Sequence, residues 1–579
     1  MGGTFTDVVL LDDSSGEVWV DKVPTTYPDI EVGVLNGLRA LMTSRQLESS
    51  EIALVAHGTT IGTNALIERK GAHTALVTTR GFRDVLELKR GRKPSAYDFN
   101  FVIPPPLVPR PMRYEVDGRL DLHGIEIEEL TQESIDAVCR QLAGYESVAI
   151  CLLFSFENPE HERRLARAVR AARPEAFVAC SSDVDPHPEE FERTSTTVLN
   201  AYLGPLVGKY LDRVRASVIE SGLPAPMIMQ SNGGLASVDT VRDLPISLLS
   251  SGPSGAVVVG RQCALMAGEP DVIICDMGGT SFDVTLVVAG EADSVRIRTI
   301  DQYPIRAPMI DTRSVGAGGG SIAWVDAGGS LRVGPESARS VPGPACYGRG
   351  GSRPTVTDAD LLLGHFPGDS LMAGAMGLDR GAAMRAVDEQ VAGPLGMSTT
   401  EAAAGILRIV DARMADAIRV GISGRGLDPR DFALVVGGGA GPLHVSRIAR
   451  ELGIARTIIP EHPGTMSAYG VAVTDRRHEA SISLGILLAE ETREDLAGSL
   501  RNLKDDVTRV FASEGVPAEQ LEFNESVDLR YVSERGDIQV RIQGHMDTAE
   551  LAVLQKEFSR LHEGVYGFTG EGQNIVIVR

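Results

Sequence analysis

Two glycine-rich phrases, MGGTFTDVVL at residues 1–10 and MGGTSFDVTL at residues 277–286, agree at seven of ten positions. In the second, the apolar run VIIC delivers Asp276, two glycines make a tight turn, and Thr280 and Ser281 follow before the chain returns as FDVTL. A strand-turn-strand of this composition presents backbone N–H groups and hydroxyls around a concavity that suits phosphate oxygens. Glycine also lets a ligand approach the main chain closely. A carboxylate beside phosphate would repel it unless a cation intervened, so Asp276 reads as a Mg²⁺ site acting through water. Asp7 and Asp283, at the matching place in each phrase, are further candidate ligands. One such hairpin is ordinary β architecture. Two matching copies imply related lobes gripping one nucleotide from both sides, through Gly2, Gly3, Thr4 and Thr6 of the first and Gly278, Gly279, Thr280 and Ser281 of the second.

Two further stretches carry groups able to meet a substrate. His57, Thr59, Thr60 and Asn64 stand where a strand hands over to a helix, which places hydroxyls and N–H groups near a helix N-terminus. Plain capping by the threonines, with the histidine filling a polar gap, is the alternative. MIDTRSVGAGGGS sets Asp311 and Arg313 directly before the run that holds Gly318 and Gly319. Asp311 can orient an amide N–H and Arg313 can pair with a carboxylate or phosphate; a surface salt bridge beside a loop is the duller option. Glu192 and Arg193 read as packing residues at a helix start, and His444 as a packed histidine rather than a base. Nothing near Cys346 in sequence marks a lowered pKa.

The elements that must position these groups alternate. IALVA (52–56), a helix through Ala65, Leu66 and Arg69, and TALVT (74–78) predict a βαβ unit. Residues 131–180 repeat the logic with a helix capped by Thr131, the strand VAICLLF, a helix opened by Pro159 and the strand AFVAC. A long helix follows from Phe191, with a hinge expected near residue 190. The fold class is therefore α/β in layers, continuing to about residue 480, and residues 481–579 read as a small α+β domain.

With 579 residues, 43% of them hydrophobic, the chain exceeds a single core. Its 56 basic and 78 acidic residues give a net charge of −22, which argues against nucleic acid as a partner. Six scattered cysteines without a CxxC pair suit reduced thiols, and no apolar run reaches membrane-spanning length, so a cytoplasmic location without membrane contact is expected.

The phrases GGTFTDVVL, HGTTIGTNALIERKGA, FERTSTTVLNAYL, QSNGG, SSGPSGA, DMGGTSFDV, VGAGGGSIAWVD, PGPACYGRGG, TVTDADLLLG, GGGAGPLH and PGTMSAYG together resemble the hydantoinase A and 5-oxoprolinase family, within the actin, sugar-kinase and heat-shock ATPase superfamily. The resemblance covers most of residues 1–480 and implies two ribonuclease-H-like lobes with ATP and Mg²⁺ between them. Gly437, Gly438, Gly439 and Gly441 then match the adenosine loop. The expected partition is 1–180, 181–480 and 481–579. In the family the first hairpin also opens with a strand-end aspartate, which would fall just before Met1, so the first strand, and the end of the C-terminal region, are expected to be missing from this chain. The implied catalytic group is His57, Thr59, Thr60, Asp276 and Asp311, with Asn64, Arg313, Gly318 and Gly319 toward the substrate.

The implied reaction is ATP-dependent hydrolysis of a cyclic amide such as a hydantoin, 5-oxoproline or a related lactam. A hydantoinase B-type subunit is the expected partner, and a homo-oligomer is compatible. A carboxylase subunit of the acetone or acetophenone type is the rival within the family, and an ATP-driven conformational switch or chaperone-like protein the rival from another class.

Overall fold

Strands buried on both faces carry near-continuous apolar runs, and two sheets of this chain meet that description. In the computed structural model, all residues are described except 2–4, 27–29, 92–96, 98–99, 103–104, 367–369, 372–375, 545 and 571, together with the side chains of 5, 24, 30 and 371. Gly2, Gly3 and Thr4 of the first phrase therefore lie outside the described residues.

The first sheet is parallel and four-stranded, in the order Arg113–Val116, Thr74–Thr79, Ser147–Cys151, Phe177–Cys180. Every residue of Thr74–Thr79 and Ser147–Cys151 is buried. The helices Gln132–Gln141 and Glu160–Ala172 supply Ile135, Val138, Leu165 and Val169 to one core. Val198 and Ala201 of the helix Glu190–Glu220 belong to another. Thr131 caps its helix as expected, accepting from the Ser134 N–H at 3.2 Å.

The second sheet runs Glu291–Ala292, Phe282–Val288, Val272–Met277, Ala433–Gly437, Thr457–Ile458, with Thr312–Val315 paired onto Phe282–Val288. The helices Thr399–Ser423 and Gly441–Leu452 share its largest core with Ile273, Cys275, Phe282 and Val436. Ala256, Val257 and Val259 of the helix Gly252–Met266 pack with the alternate strand residues Val272 and Ile274. A third sheet, Ile486–Leu487, Ile575–Ile577, Ser526–Tyr531, Ile538–Arg541, packs Leu529 and Tyr531 against Leu554 and Phe558 of the helix Thr548–Tyr566.

One expectation is corrected. The βαβ unit of residues 52–78 does not form: Ala56–His57 pairs with Met227–Met229 in a different sheet from Thr74–Thr79. The end of the short run IALVA finds its neighbour 171 residues downstream, so segments on either side of residue 180 share one sheet. The strand Phe5–Leu11 pairs with Val18–Pro24, with Asp7 opposite Lys22. The helix Ile30–Arg45 lies on this hairpin so closely that a Cβ on Gly37 would sit 2.6 Å from Val8 Cγ2.

The helix Glu190–Glu220 is buried over most of its length although its first turns are polar. Its threonines satisfy themselves locally: Thr196 and Thr197 donate to the carbonyls of Glu192 and Arg193 at 2.7 and 2.8 Å. Arg193, fully buried, donates to Ser155, Ser181 and the Leu152 carbonyl. A buried guanidinium met by that many acceptors is a packing residue, as its position at the helix start suggested.

Candidate functional site

Asp276 stands at the carboxyl end of Val272–Met277, opposite Asp283 in the antiparallel register and beside Gly437 in the parallel one. The carboxyl ends of neighbouring strands are where open α/β sheets leave a crevice. Three glycine segments converge there. The hairpin closes with the Gly278 N–H donating to the Ser281 carbonyl at 3.1 Å, and a Cβ added to Gly278 or Gly279 would meet nothing within 4 Å. Beside the tip runs the 316–320 loop, whose Gly319 and Gly320 N–H groups donate to the carbonyls of Gly278 (3.1 Å) and Gly279 (2.7 Å). A Cβ on Gly318 would lie 2.6 Å from the Thr280 nitrogen, so only glycine fits. Thr357 fixes this loop from behind, donating both its N–H and its Oγ1 to the Gly319 carbonyl at 2.8 Å.

The 437–441 loop closes the other side. The Ala440 N–H donates to the Met277 carbonyl at 3.2 Å and the Gly438 N–H to the Pro463 carbonyl at 2.8 Å. Gly438 has φ +84°, and its Cβ would fall 2.2 Å from the Met277 oxygen and 2.5 Å from Asp276 Oδ1. Gly437 packs on Met466, whereas Gly439 faces open space. The helix Gly441–Leu452 begins here with proline in its first turn and no capping side chain, leaving backbone donors at the crevice.

Asp276 accepts from Ser467 Oγ at 2.9 Å. Burial pushes its carboxyl up, the Ser467 hydrogen bond opposes that shift, and the charge of Asp7 adds to it. The two repeated phrases thus lie within electrostatic reach of each other, and the helix Met466–Ala472, which carries Ser467, packs against Phe5–Leu11. Asp7 itself is ion-paired with Lys22. Thr6 is buried and its hydroxyl bonds that of Thr25 at 3.2 Å. Asp283 is pushed up to about 7, by burial first and then by Asp276, against a hydrogen bond from Ser314.

Among the described residues no three His, Cys, Asp or Glu side chains are placed to hold a metal ion, so Asp7, Asp276 and Asp283 form no cage. Mg²⁺ does not ask for one: it keeps several waters and takes one or two carboxylates besides phosphate oxygens. A single strand-end carboxylate raised by burial, beside an open glycine tip, fits that donor set.

The threonine segment forms a second wall. His57 is buried and its Nε2 bonds Tyr210 Oη at 2.7 Å. Burial first, then the charge of the Met1 amino group, pushes its pKa down to about 3, so the ring is neutral. Thr60 Oγ1 accepts from Asn64 Nδ2 at 3.1 Å, and Thr59 Oγ1 accepts from the Ile61 N–H at 3.3 Å. This wall abuts the start of Gly252–Met266: the Ser250 N–H donates to Thr63 Oγ1 at 3.1 Å and Ser251 Oγ to the Thr59 carbonyl at 3.2 Å. From there to Asp276 the link is backbone. A Cβ on Gly255 would be 2.2 Å from the Ser467 oxygen, and one on Gly470 would be 1.8 Å from the Gly255 oxygen.

Asp311 and Arg313 are not brought to this crevice. Asp311 pairs with Arg425 at 2.7 Å, which also holds Asp293 at 2.8 Å. Arg313 stands opposite Val284, whereas Asp283 stands opposite Ser314, and with a side-chain period of two the arginine points to the other face. There it lines a cavity with Ile273, Leu286 and Gly421. Cys346 is buried and its thiol is pushed well up by burial.

Behind the crevice lies a buried charged chain. His444, in the first turn of Gly441–Leu452, bonds Asp411 at 2.7 Å and faces Asp360 at 3.4 Å; Arg447 holds the other Asp411 oxygen, and His365 bonds Asp360 at 2.8 Å. Burial alone would lower the His444 pKa, but the Asp360 and Asp411 carboxylates on either side of the ring outweigh it and lift the group to about 9. Ser467, Thr357 and Asp360 were missed as positioning residues, although all lie in phrases that carry the family resemblance.

The comparisons with known proteins agree with these observations. The description Hydantoinase/oxoprolinase matches residues 193–480, and Hydantoinase/oxoprolinase N-terminal region matches residues 1–172. Caprolactamase subunit alpha of Pseudomonas jessenii is 37% identical over 590 residues, covering 100% of this chain and 85% of that protein. Acetophenone carboxylase gamma subunit of Aromatoleum aromaticum is 34% identical, covering 92% and 76%. The crystal structure of ATP-dependent caprolactamase from Pseudomonas jessenii superposes with a TM-score of 0.87 at 35% identity, covering 100% of this chain and 87% of that one. Among the described residues no helix is long and apolar enough to cross a membrane. With its mixed α/β fold, this chain belongs to the hydantoinase/oxoprolinase family.

Proposed function

We propose that the protein is the nucleotide-binding subunit of an ATP-dependent enzyme that opens a cyclic amide. The observation that carries this reading is the convergence of the 277–281, 316–320 and 437–441 segments on Asp276. In this reading two actin-like lobes, each drawing on both sides of residue 180, lie within residues 1–480, residues 481–579 form a C-terminal unit, and ATP lies between the repeated phrases. Backbone N–H groups at Gly279 and Gly439 and at the start of Gly441–Leu452 bind phosphate and nucleoside, and Gly2, Gly3 and Thr4 of the first phrase are assigned the same role. Asp276 holds Mg²⁺ through water, and when bound the ion supplies neutralisation of phosphate charge.

A lactam carbonyl is resonance-stabilised and a poor electrophile. Transfer of the γ-phosphoryl group to the amide oxygen converts that oxygen into a leaving group. Water then adds to the ring carbon and the C–N bond breaks, releasing the amine and leaving an acyl phosphate, which a second water hydrolyses; lactam, ATP and two waters thus give a ring-opened amino acid, ADP and phosphate. Thr59, Thr60 and Asn64 orient the amide, with Gly318 and Gly319 keeping the hairpin tip in place. Neutral His57, held by Tyr210, shapes that wall and carries no charge to it. Positioned donors of this kind contribute about 10²–10³ in rate each.

A hydantoinase B-type chain is the proposed partner; the relatives named above as subunits support a multi-chain assembly. The 34% identity to an acetophenone carboxylase subunit favours a second reading, in which the phosphoryl acceptor is an enol or bicarbonate oxygen. ADP release should be measured with lactams, hydantoins and 5-oxoproline, and separately with ketones plus bicarbonate, with and without the partner chain. Stimulation by cyclic amides supports the first reading, by ketone plus bicarbonate the second, and turnover indifferent to all of them refutes both. Asp276→Asn should abolish Mg²⁺-dependent ATP binding; unchanged binding removes Asp276 from the site.

A further inference from the structure

The tip of the Asp276 hairpin is held from two sides. Its Met277 carbonyl accepts from the Ala440 N–H of one glycine loop, and its Gly278 and Gly279 carbonyls accept from the Gly319 and Gly320 N–H groups of the other. Each loop is backed by a helix. Gly441–Leu452 continues the first loop, and its first turn carries His444. Val356–Leu362 stands behind the second: its Thr357 donates to the Gly319 carbonyl through both N–H and Oγ1, and Asp360 follows three residues later on the same helix face.

A polar contact joins these two helices. His444 Nε2 lies 3.4 Å from Asp360 Oδ2, and the two side chains are 0% and 1% exposed. The contacts therefore close a ring that runs from the hairpin tip through the 437–441 loop, His444, Asp360 and Thr357 to the 316–320 loop and back to the tip. Asp411 of Thr399–Ser423 and Arg447 of the same helix also face the imidazole. Asp411 Oδ1 accepts from Nδ1 at 2.7 Å, and Arg447 stands 3.2 Å from Nδ1, while His365 bonds the other Asp360 oxygen at 2.8 Å.

Packing alone does not explain this arrangement. Nε2 is buried and makes no hydrogen bond among the described residues. A buried polar group left short of its partner is destabilising, where an apolar pair of similar size would not be. The two carboxylates nevertheless keep the ring charged. Both nitrogens then carry protons, so one ring serves Asp411 and Asp360 together, whereas a neutral imidazole donates to one of them only. Buried ionic groups retained at such a cost are best attested where they fix the register of packed elements.

We propose that His444 and Asp360 are positioning residues for nucleotide binding: their contact couples the 437–441 and 316–320 loops, so that both loops hold the hairpin tip as one body. The role in binding rests on the nucleotide reading of the crevice, whereas the coupling of the loops does not.

Two measurements on the full chain test it. Hydrogen exchange without nucleotide follows the Gly319, Gly320 and Ala440 amides, with the strand Val272–Met277 as the reference for global opening. His444→Gln and Asp360→Asn should each speed exchange in both loops relative to that strand, although each residue stands behind only one of them. Exchange changed in one loop alone, or in neither, overturns the proposal. Calorimetric titration with ATP and Mg²⁺ is the second measurement. Asp360→Asn should bind about tenfold more weakly, the size of a lost charged contact. Thr357→Val should also bind more weakly, and Thr357→Ser, which keeps the hydroxyl, should bind like wild type. Combining Asp360→Asn with Thr357→Val should lose less than the product of the single losses, because both act through the Gly319 carbonyl. Losses that multiply, or wild-type affinity in Asp360→Asn, overturn the role in binding. A wild-type chain that binds no ATP overturns the nucleotide reading and that role with it, while exchange that rises in both loops still upholds the coupling.

Discussion

Three glycines at the crevice separate packing from ligand binding, because the space beside each is different. At Gly438 an alanine meets two obstacles. The φ of +84° puts an L side chain in the left-handed region, which costs about 1–2 kcal/mol. Its Cβ would also fall 2.2 Å from the Met277 oxygen and 2.5 Å from Asp276 Oδ1. Neither can retreat easily: Met277 is held by the Ala440 N–H and Asp276 by Ser467. Overpacking of that kind adds about 1–3 kcal/mol. A total near 3 kcal/mol lowers the melting point of the unit concerned by about 6–12 °C.

Gly279 and Gly439 differ in both respects. Neither has positive φ, and a Cβ on either would meet nothing within 4 Å. Alanine at these positions should leave stability within about 0.5 kcal/mol of wild type. If phosphate or nucleoside lies against their N–H groups, each methyl displaces it and forfeits a charged hydrogen bond of about 1.5–3 kcal/mol, a loss of about 10- to 150-fold in affinity. Thermal denaturation without nucleotide and calorimetric titration with ATP and Mg²⁺ read the two effects separately. If both open-tip variants bind ATP like wild type, the nucleotide does not lie against this tip. If Gly438→Ala melts like wild type, the steric argument is wrong.

Two further outcomes follow from the charged groups. His444 is raised from 6.5 to about 9, so its contribution is fully present below pH 6.5 and is lost as pH rises through 9. That contribution is on the order of 3 kcal/mol. His444→Gln should remove the slope from urea midpoints measured between those values, with Asp360, Asp411 and Arg447 left facing the site; a variant whose midpoints track wild type across the window would refute the charged-chain account. Asp311→Asn removes a partly exposed pair with Arg425, so it should cost under about 1 kcal/mol and leave ATP turnover within about twofold. A tenfold drop in turnover would place Asp311 against the substrate after all.

The sequence by itself determined the chemistry-bearing parts and their local form. The Asp276 strand, its glycine turn and the returning FDVTL strand are all contained in one continuous phrase, and the hairpin that results depends on neighbours only a few residues away. The same holds for the helix capped by Thr131 and for the three parallel strands at 74–79, 147–151 and 177–180, whose apolar runs are complete in themselves. What those phrases could not specify was which distant groups share a face. Ala56–His57 joined Met227–Met229 instead of its sequence neighbour because a two-residue strand has too little pattern to choose a partner. Asp311 and Arg313 were placed beside a glycine run by sequence and taken from the crevice by strand alternation and by Arg425, 114 residues away. Ser467 bonds Asp276 across 191 residues, and Asp411 bonds His444 across 33. Local backbone preference acts over a few residues and is written in the chain; long-range contact is decided by how buried faces pack, and only the tertiary structure settles that.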